Sequence, residues 1–98
     1  RDVYIPNVFS PNADGRNDDF KIYTGLGVTA INYFRIFDRW GNLLHEETNL
    51  IPDANGSGKW DGTSNGDELN PGVYIFVTEI TFIDNATLTY SGDITLVK

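Results

Sequence analysis

The densest cluster of polar side chains lies between Pro11 and Phe20 and has the composition of a cation site. Calcium binds roughly six to eight oxygen atoms, and a glycine lets a short loop wrap around the ion. Aligning Gly15 with that glycine assigns as calcium ligands Asn12, Asp14, the backbone carbonyl of Arg16 and Asp18. The ends of the loop would fall on Ser10 and Lys21, and lysine cannot supply the bidentate carboxylate that closes such a site.

The same residues also suit a solvated Asx turn, in which aspartate and asparagine side chains accept hydrogen bonds from their own backbone. This is the commoner outcome for such a composition. We therefore expect a domain that requires no cofactor, with Ca²⁺ as an optional ligand.

The remaining polar residues form no catalytic pattern. The chain has no cysteine, and therefore no disulfide, thiol nucleophile or thiolate metal site. Its single histidine, His45, would need a nucleophile and an orienting group to act as a general base, and the sequence offers no recognisable arrangement of that kind. We expect His45 to be an exposed strand residue and the protein not to be an enzyme.

Two tryptophans, Trp40 and Trp60, each stand beside a glycine. If exposed, they could stack on sugar rings, as a carbohydrate-binding module requires. We favour the alternative that both pack in the core or at its rim, because a small domain needs large side chains to close its ends. Asp61 is then expected to accept hydrogen bonds from the turn that follows it.

Length and charge limit the organisation and the partners of the chain. Ninety-eight residues suit a single domain spanning 1–98. Fourteen acidic against seven basic residues give a net charge of −7, so we expect no nucleic-acid partner. No apolar run approaches the roughly 20 residues of a membrane-spanning helix, so we expect no direct membrane insertion. Without an initiating methionine or a signal-peptide pattern, the sequence is interpreted as a domain excised from a larger protein.

Ten glycines, four prolines and many Asn and Asp residues interrupt the chain at short intervals, and no segment keeps apolar residues at helical spacing. The sequence therefore predicts an all-β fold, an immunoglobulin-like antiparallel β-sandwich of about seven strands. The predicted strands are Val3–Phe9, Phe20–Tyr23, Ile31–Arg39, Asn42–Glu47, Lys59–Thr63, Val73–Ile83 and Thr87–Val97.

Alternation in the last two predicted strands indicates how they pair. In both strands the inward-facing apolar residues have even numbers. Because opposite residues of an antiparallel pair face the same side of the sheet, these even-numbered residues must pair with one another, and the connecting loop must have an odd number of residues. We predict a three-residue loop, Asp84–Ala86. The predicted pairs are Phe82 with Leu88, Ile80 with Tyr90, Phe76 with Ile94 and Tyr74 with Leu96.

Two other turns can be predicted from residue type. Asn65-Gly66 favours a two-residue hairpin, because both central positions of a type I′ turn need positive φ. Arg39–Asn42 is expected to reverse the chain between two strands. Val73, Ile75 and Val77 make both faces of their strand apolar, which predicts a central position in the sheet.

Five fragments together resemble one known family. In chain order they are Ile5-Pro6-Asn7-Val8-Phe9-Ser10-Pro11-Asn12-Ala13-Asp14-Gly15-Arg16-Asn17-Asp18, Ile36-Phe37-Asp38-Arg39-Trp40-Gly41-Asn42, Trp60-Asp61-Gly62, Pro71-Gly72-Val73-Tyr74 and Gly92-Asp93-Ile94-Thr95-Leu96. Their order and spacing are similar to those of the gliding motility-associated C-terminal domain, also called the type B sorting domain of the type IX secretion system. The sequence departs from the family at Ala13, where the family usually has glycine.

The resemblance implies a β-sandwich at the C-terminal end of a large exported protein. It also implies partners, namely the outer-membrane translocon components of the type IX system and N-terminal passenger domains, and a secreted or cell-surface location with the periplasm in transit. We hypothesise that the terminal strand Thr87–Lys98, the Asn12–Asp18 loop and the Arg39–Asn42 turn form the recognised surface. The residues proposed for partner recognition are Arg39, Trp40, Gly41, Gly92, Asp93, Ile94, Leu96 and Lys98.

Two other functions remain open at this point. One is a calcium-stabilised adhesive or spacer β-sandwich of a surface protein, which the Asp- and Asn-rich loop would support. The other, less favoured, is a carbohydrate-binding module, supported only by the two tryptophans.

Overall fold

Segments rich in β-branched and aromatic residues form the strands of the protein, as expected from their preference for pleated, half-buried surfaces. A computed structural model describes residues 3–11 and 18–97. The strands in these ranges are β1 (Val3–Tyr4), β2 (Val8–Phe9), β3 (Phe20–Thr24), β4 (Val28–Phe37), β5 (Leu43–Leu50), β6 (Ser57–Trp60), β7 (Thr63–Ser64), β8 (Asp67–Glu68), β9 (Gly72–Phe82) and β10 (Thr87–Leu96). The all-β prediction is confirmed, and the described residues contain no helix that could cross a membrane.

Two sheets pack face to face. The larger has the strand order β2-β10-β9-β4-β5 and the smaller β1-β3-β6, while β7 and β8 form a separate hairpin. Phe20 of the smaller sheet lies 5.6 Å from Phe34 and 6.0 Å from Phe76 of the larger, measured between ring centroids. Burying such a side chain contributes about 1.5–3 kcal/mol, so these aromatic contacts hold the layers together.

The predicted strand Val3–Phe9 is wrong as a single element. Its first part, β1, pairs with β3 in the smaller sheet, and its last part, β2, pairs in parallel with β10 in the larger. Pro6 lies between them. Proline has no N–H to donate to a ladder, so the segment leaves one sheet there and joins the other.

Three further predicted strands differ from the structure by more than one residue. The strand β4 begins earlier than predicted and ends at Phe37, because Asp38 already belongs to the following turn. The strand β5 continues to Leu50. The predicted strand Lys59–Thr63 is divided between β6 and β7 by Gly62, whose φ of 83° does not fit a strand.

The predicted register of the last hairpin is wrong by two residues, although its parity is right. Ile80 lies opposite Leu88, and Phe76 lies opposite Gly92. The three-residue loop is Ile83–Asn85, closed by a 2.8 Å hydrogen bond from Phe82 N to Ala86 O. Asn85 has a φ of 66° and takes the left-handed position at the end of the loop. The loop therefore begins one residue earlier in the chain than predicted.

Other local predictions are confirmed. Asn65 and Gly66 have φ values of 53° and 86° and connect β7 to β8, as a type I′ turn requires. The strand β9 is central, between β10 and β4. The Asp61 carboxylate accepts hydrogen bonds from the backbone N–H and the hydroxyl of Thr63, at 3.2 and 2.6 Å, and the pKa of Asp61 is lowered chiefly by the bond from that hydroxyl.

Candidate partner-recognition surface

The topology brings several predicted recognition segments to one end of the larger sheet. In the register of β10 and β9, Leu96 lies opposite Gly72, while Phe37 at the end of β4 pairs with Ile75. The turn 38–42, the segment 70–73 and the end of β10 therefore meet at this end. We call this surface, formed by residues 38–42, 70–73 and 95–97, the carboxyl end of the sandwich.

The turn 38–42 is held by one carboxylate. Asp38 Oδ1 accepts hydrogen bonds from the backbone N–H groups of Trp40 and Asn42, both at 2.9 Å, and Oδ2 accepts one from Asn42 Nδ2 at 2.8 Å. Gly41 has a φ of 85°, which a glycine adopts without strain. These hydrogen bonds lower the pKa of Asp38, and the bond from the Asn42 side chain has the largest effect. The turn is therefore held by an ionised carboxylate at neutral pH.

The two tryptophans lie in opposite environments. Trp60 is fully buried, donates from Nε1 to Thr63 O at 3.0 Å and lies 5.1 Å from the ring of Phe9, as predicted for a core residue. The side chain of Trp40 is 81% exposed, so the expectation that it packs in the core or at the rim is wrong. The Arg39 guanidinium lies 5.9 Å from the Trp40 ring centroid, within the range of a cation–π contact.

A groove of about 340 Å³ separates this turn from the start of β9. Tyr74 forms part of its floor and donates from its hydroxyl to Asn70 O at 2.6 Å, which fixes the segment before the strand. Burial, and next the negative charge of Asp38, raise the pKa of the Tyr74 hydroxyl, so it remains a donor at physiological pH. The residues that line the groove are Asp38, Arg39, Trp40, Asn70, Pro71, Gly72, Val73 and Tyr74.

Only one wall of this groove, which contains Arg39 and Trp40, is among the recognition residues predicted from the sequence. The other wall, Asn70–Val73, is not among the residues proposed for partner recognition, although Pro71-Gly72-Val73 belongs to one of the five family fragments. The sequence signal for this second wall is Pro71-Gly72 at the start of the long apolar strand β9. Because β9 and β10 are antiparallel neighbours, the start of β9 lies beside the end of β10.

The residues proposed on and after β10 lie in different environments. Ile94 and Leu96 are buried in the core, so their side chains support the strand from beneath. Asp93 is exposed. Gly92 lies under an aromatic ring, since a Cβ built there would come within 3.0 Å of Phe76 Cε2. Lys98 lies outside the described residues.

The calcium hypothesis stays a prediction. Its candidate ligands Asn12, Asp14 and Arg16 lie outside the described residues, and Asp18 is half-buried just before β3. Within residues 3–11 and 18–97, no three His, Cys, Asp or Glu side chains are placed to hold a metal ion.

His45 has a structural environment and is half-buried rather than exposed. Its Nε2 lies 2.9 Å from Glu47 Oε2, and its ring packs edge-on against Phe34 at 5.8 Å. The same Glu47 oxygen accepts the backbone N–H of Lys59 at 2.9 Å. These contacts fasten β5 to the segment that contains β6.

The chain is similar to known proteins in both its family and its fold. The family model described as CHU_C Type IX secretion signal domain matches residues 3–96. No curated protein matches the sequence. Among solved structures, the chain is similar to the crystal structure of CopC from Methylosinus trichosporium OB3b, with 17% sequence identity, a TM-score of 0.59 and coverage of 98% of this chain and 89% of that one. At this identity the likeness shows the β-sandwich fold alone.

Proposed function

Because the chain belongs to the CHU_C family of type IX secretion signal domains, we propose that it directs a larger exported protein through the outer-membrane translocon of the type IX system to the cell surface. The observation that carries the proposal is the family match itself, which includes every strand of the sandwich. The passenger domains precede the sandwich in the chain and cross the periplasm with it.

The carboxyl end supplies a surface suited to recognition by the translocon. Interface residues that contribute most to binding are enriched in tryptophan and arginine, and Trp40 and Arg39 stand together beside a groove. The Asp38 hydrogen bonds hold their turn before any partner arrives. A surface that is already ordered loses less conformational entropy on binding, so less contact area is needed for a given affinity.

A reporter fusion tests this function. A periplasm-targeted reporter carrying the domain is expected to reach the surface of a bacterium with a type IX system, and removal of the domain to leave the reporter in the periplasm. Surface delivery is measured as the fraction of reporter cleaved by protease added to intact cells. Equal delivery with and without the domain would overturn the proposed function.

Trp40→Ala locates the recognised surface within the domain. We expect it to reduce surface delivery by roughly tenfold or more, because truncation of a residue in an interface hot spot costs about 2 kcal/mol, or about 30-fold in affinity. The matched control is Leu26→Ala, because Leu26 is also almost fully exposed but lies beside Gly27 at the opposite end of the sheet, where Val28 pairs with Phe82. Similar delivery by the two variants would place recognition away from the carboxyl end.

The exposure of Trp40 also favours a second candidate function, glycan binding, because an exposed indole beside an open groove can stack on a sugar ring. A glycan array separates the candidates. Binding above background that is lost in Trp40→Ala would support the glycan function.

A further inference from the structure

Within the residues that the structure describes, one long side of β10 has no neighbouring strand for most of its length. It pairs with β9 along its whole length, from Thr87 to Leu96. On its other side, β2 covers only Thr95 and Leu96. No other strand in the described part of the chain pairs with Thr87–Asp93, a stretch of seven residues that is about 23 Å long at the usual rise of a strand. We call this stretch the open edge.

Two hydrogen bonds just after the open edge in sequence indicate which of its backbone groups point away from β9. Thr95 N donates to Asn7 O at 2.8 Å and Val97 N donates to Phe9 O at 3.0 Å, both away from β9. Backbone direction alternates along a strand, so the odd-numbered residues direct their N–H and C=O groups outward. On the open edge these residues are Thr87, Thr89, Ser91 and Asp93.

Apart from the carboxylate of Asp93 at its end, the open edge lacks the features that usually prevent strand addition. Proteins protect such edges with lysine, proline or a bulge, and Thr87–Asp93 contains no lysine or proline. Its pairing with β9 runs without a register shift. Thr87, Thr89 and Ser91 carry small hydroxyl side chains, which leave the backbone groups accessible to another chain.

A second groove adjoins the open edge. It has a volume of about 360 Å³ and is lined by Tyr4, Pro6, Asn7, Val8 and Tyr23. The rings of the two tyrosines lie 5.9 Å apart. Asn7 is hydrogen-bonded to Thr95, so this groove begins where the open edge ends.

We propose that the open edge receives an extended, uncharged or basic segment of a partner protein as an additional strand, with one bulky apolar side chain of that segment in the tyrosine groove. This inference rests on the proposed function, because the partner is taken to be a component of the secretion machinery. Backbone pairing supplies affinity with little dependence on side chains.

Charge selects among the chains that could occupy the edge. Asp93 lies on the open edge, and the neighbouring strand β9 carries Glu79. A second copy of this domain would bring another net charge of −7, so repulsion disfavours edge-to-edge pairing of two copies. A neutral or basic segment avoids this repulsion.

The first test uses a synthetic peptide and does not depend on secretion. The probe is a short peptide of alternating threonine and valine with a lysine at each end, and the control peptide has glutamate in place of lysine. We expect the lysine peptide to slow hydrogen exchange at the amides of Thr87, Thr89, Ser91 and Asp93, and the glutamate peptide to bind several-fold more weakly. No protection at any of these amides would overturn the proposed edge site, and protection of the β5 amides instead would do the same.

The second test asks whether the secretion machinery uses the edge. Thr89→Pro with Ser91→Pro removes two outward N–H groups, whereas Thr89→Val with Ser91→Val changes the same side chains and keeps them. We expect the proline variant to reduce surface delivery of the reporter roughly tenfold and the valine variant to have little effect. Normal delivery by a folded proline variant would overturn the use of the edge.

Two further measurements distinguish misfolding from lost edge pairing, and failure of the proposed function from failure of the edge site. If the proline variant fails to fold, as judged by its melting temperature, Thr89→Lys with Ser91→Lys replaces it, because lysine blocks edge pairing without removing an N–H. If removal of the whole domain leaves delivery unchanged while the peptide still protects the edge amides, the proposed function fails and the edge's capacity to accept a strand stands.

Discussion

The two edges of the larger sheet differ in how well they are closed. At β5 the edge carries His45, Glu46 and Glu47, its pairing with β4 is interrupted by an irregularity near Phe37, and Asn49 has a φ of 55°. At β10 the pairing is regular and the side chains from Thr87 to Gly92 are uncharged. Charge and irregularity are the usual protection against edge-to-edge association. The protein therefore closes one edge and leaves the other available.

The largest expected effect concerns the core beneath the closed edge. Phe34→Ala removes a fully buried ring that contacts both Phe20 and His45, and should lower the free energy of unfolding by roughly 3–5 kcal/mol. Denaturant unfolding measures it. The control is Phe37→Ala on the same strand, where the ring is only half-buried. Equal losses at the two positions would contradict the assigned core.

A smaller effect is expected at the closed edge itself. Glu47→Ala removes the acceptor of the backbone N–H of Lys59 and the partner of the His45 ring, and should cost roughly 1–2 kcal/mol of unfolding free energy, the net value of one to two hydrogen bonds. Sedimentation should also show more self-association, because the closed edge then carries one charged side chain fewer. Glu46→Ala is the control, since its ion pair with Arg35 is exposed and contributes roughly 0–1 kcal/mol. A loss at Glu46 that matched the loss at Glu47 would remove the distinction between them.

Acid should loosen the turn that leads into the closed edge. The folded-state pKa of Asp38 lies below its usual value, so its stabilising contribution is present above the unfolded pKa, roughly 3.9, and is lost as the pH falls through the folded value. Asp38→Asn should therefore lower the melting temperature at pH 7, and the difference from the wild type should vanish in acid. Asn42→Ala, which removes the main donor to Asp38, should weaken this pH dependence. A difference that stayed constant with pH would contradict the role of the ionised carboxylate.

Much of the fold could be predicted because it depends on local chemistry. The Asn65-Gly66 turn follows from two residues that accept positive φ, and the parity of the last hairpin follows from the two-residue period of a strand. The register itself could not be fixed, because Asn85 rather than a glycine takes the left-handed position in the loop.

The candidate surfaces depend on contacts that are distant in sequence. A tryptophan beside a glycine gives no sequence signal that distinguishes a buried side chain, as at Trp60, from an exposed one, as at Trp40. The open edge exists because β2 pairs with only two residues of β10 after leaving the smaller sheet at Pro6. Such pairing is decided by how the sheets pack, which no local pattern determines.

Sufficiency of the domain for export is the most direct test of the central claim. Residues 1–98 are joined to an unrelated periplasmic reporter and expressed in a bacterium with a type IX system and in a matched strain that lacks its translocon. The account predicts surface delivery in the first strain and periplasmic retention in the second. Retention in both strains, or delivery in both, would contradict it.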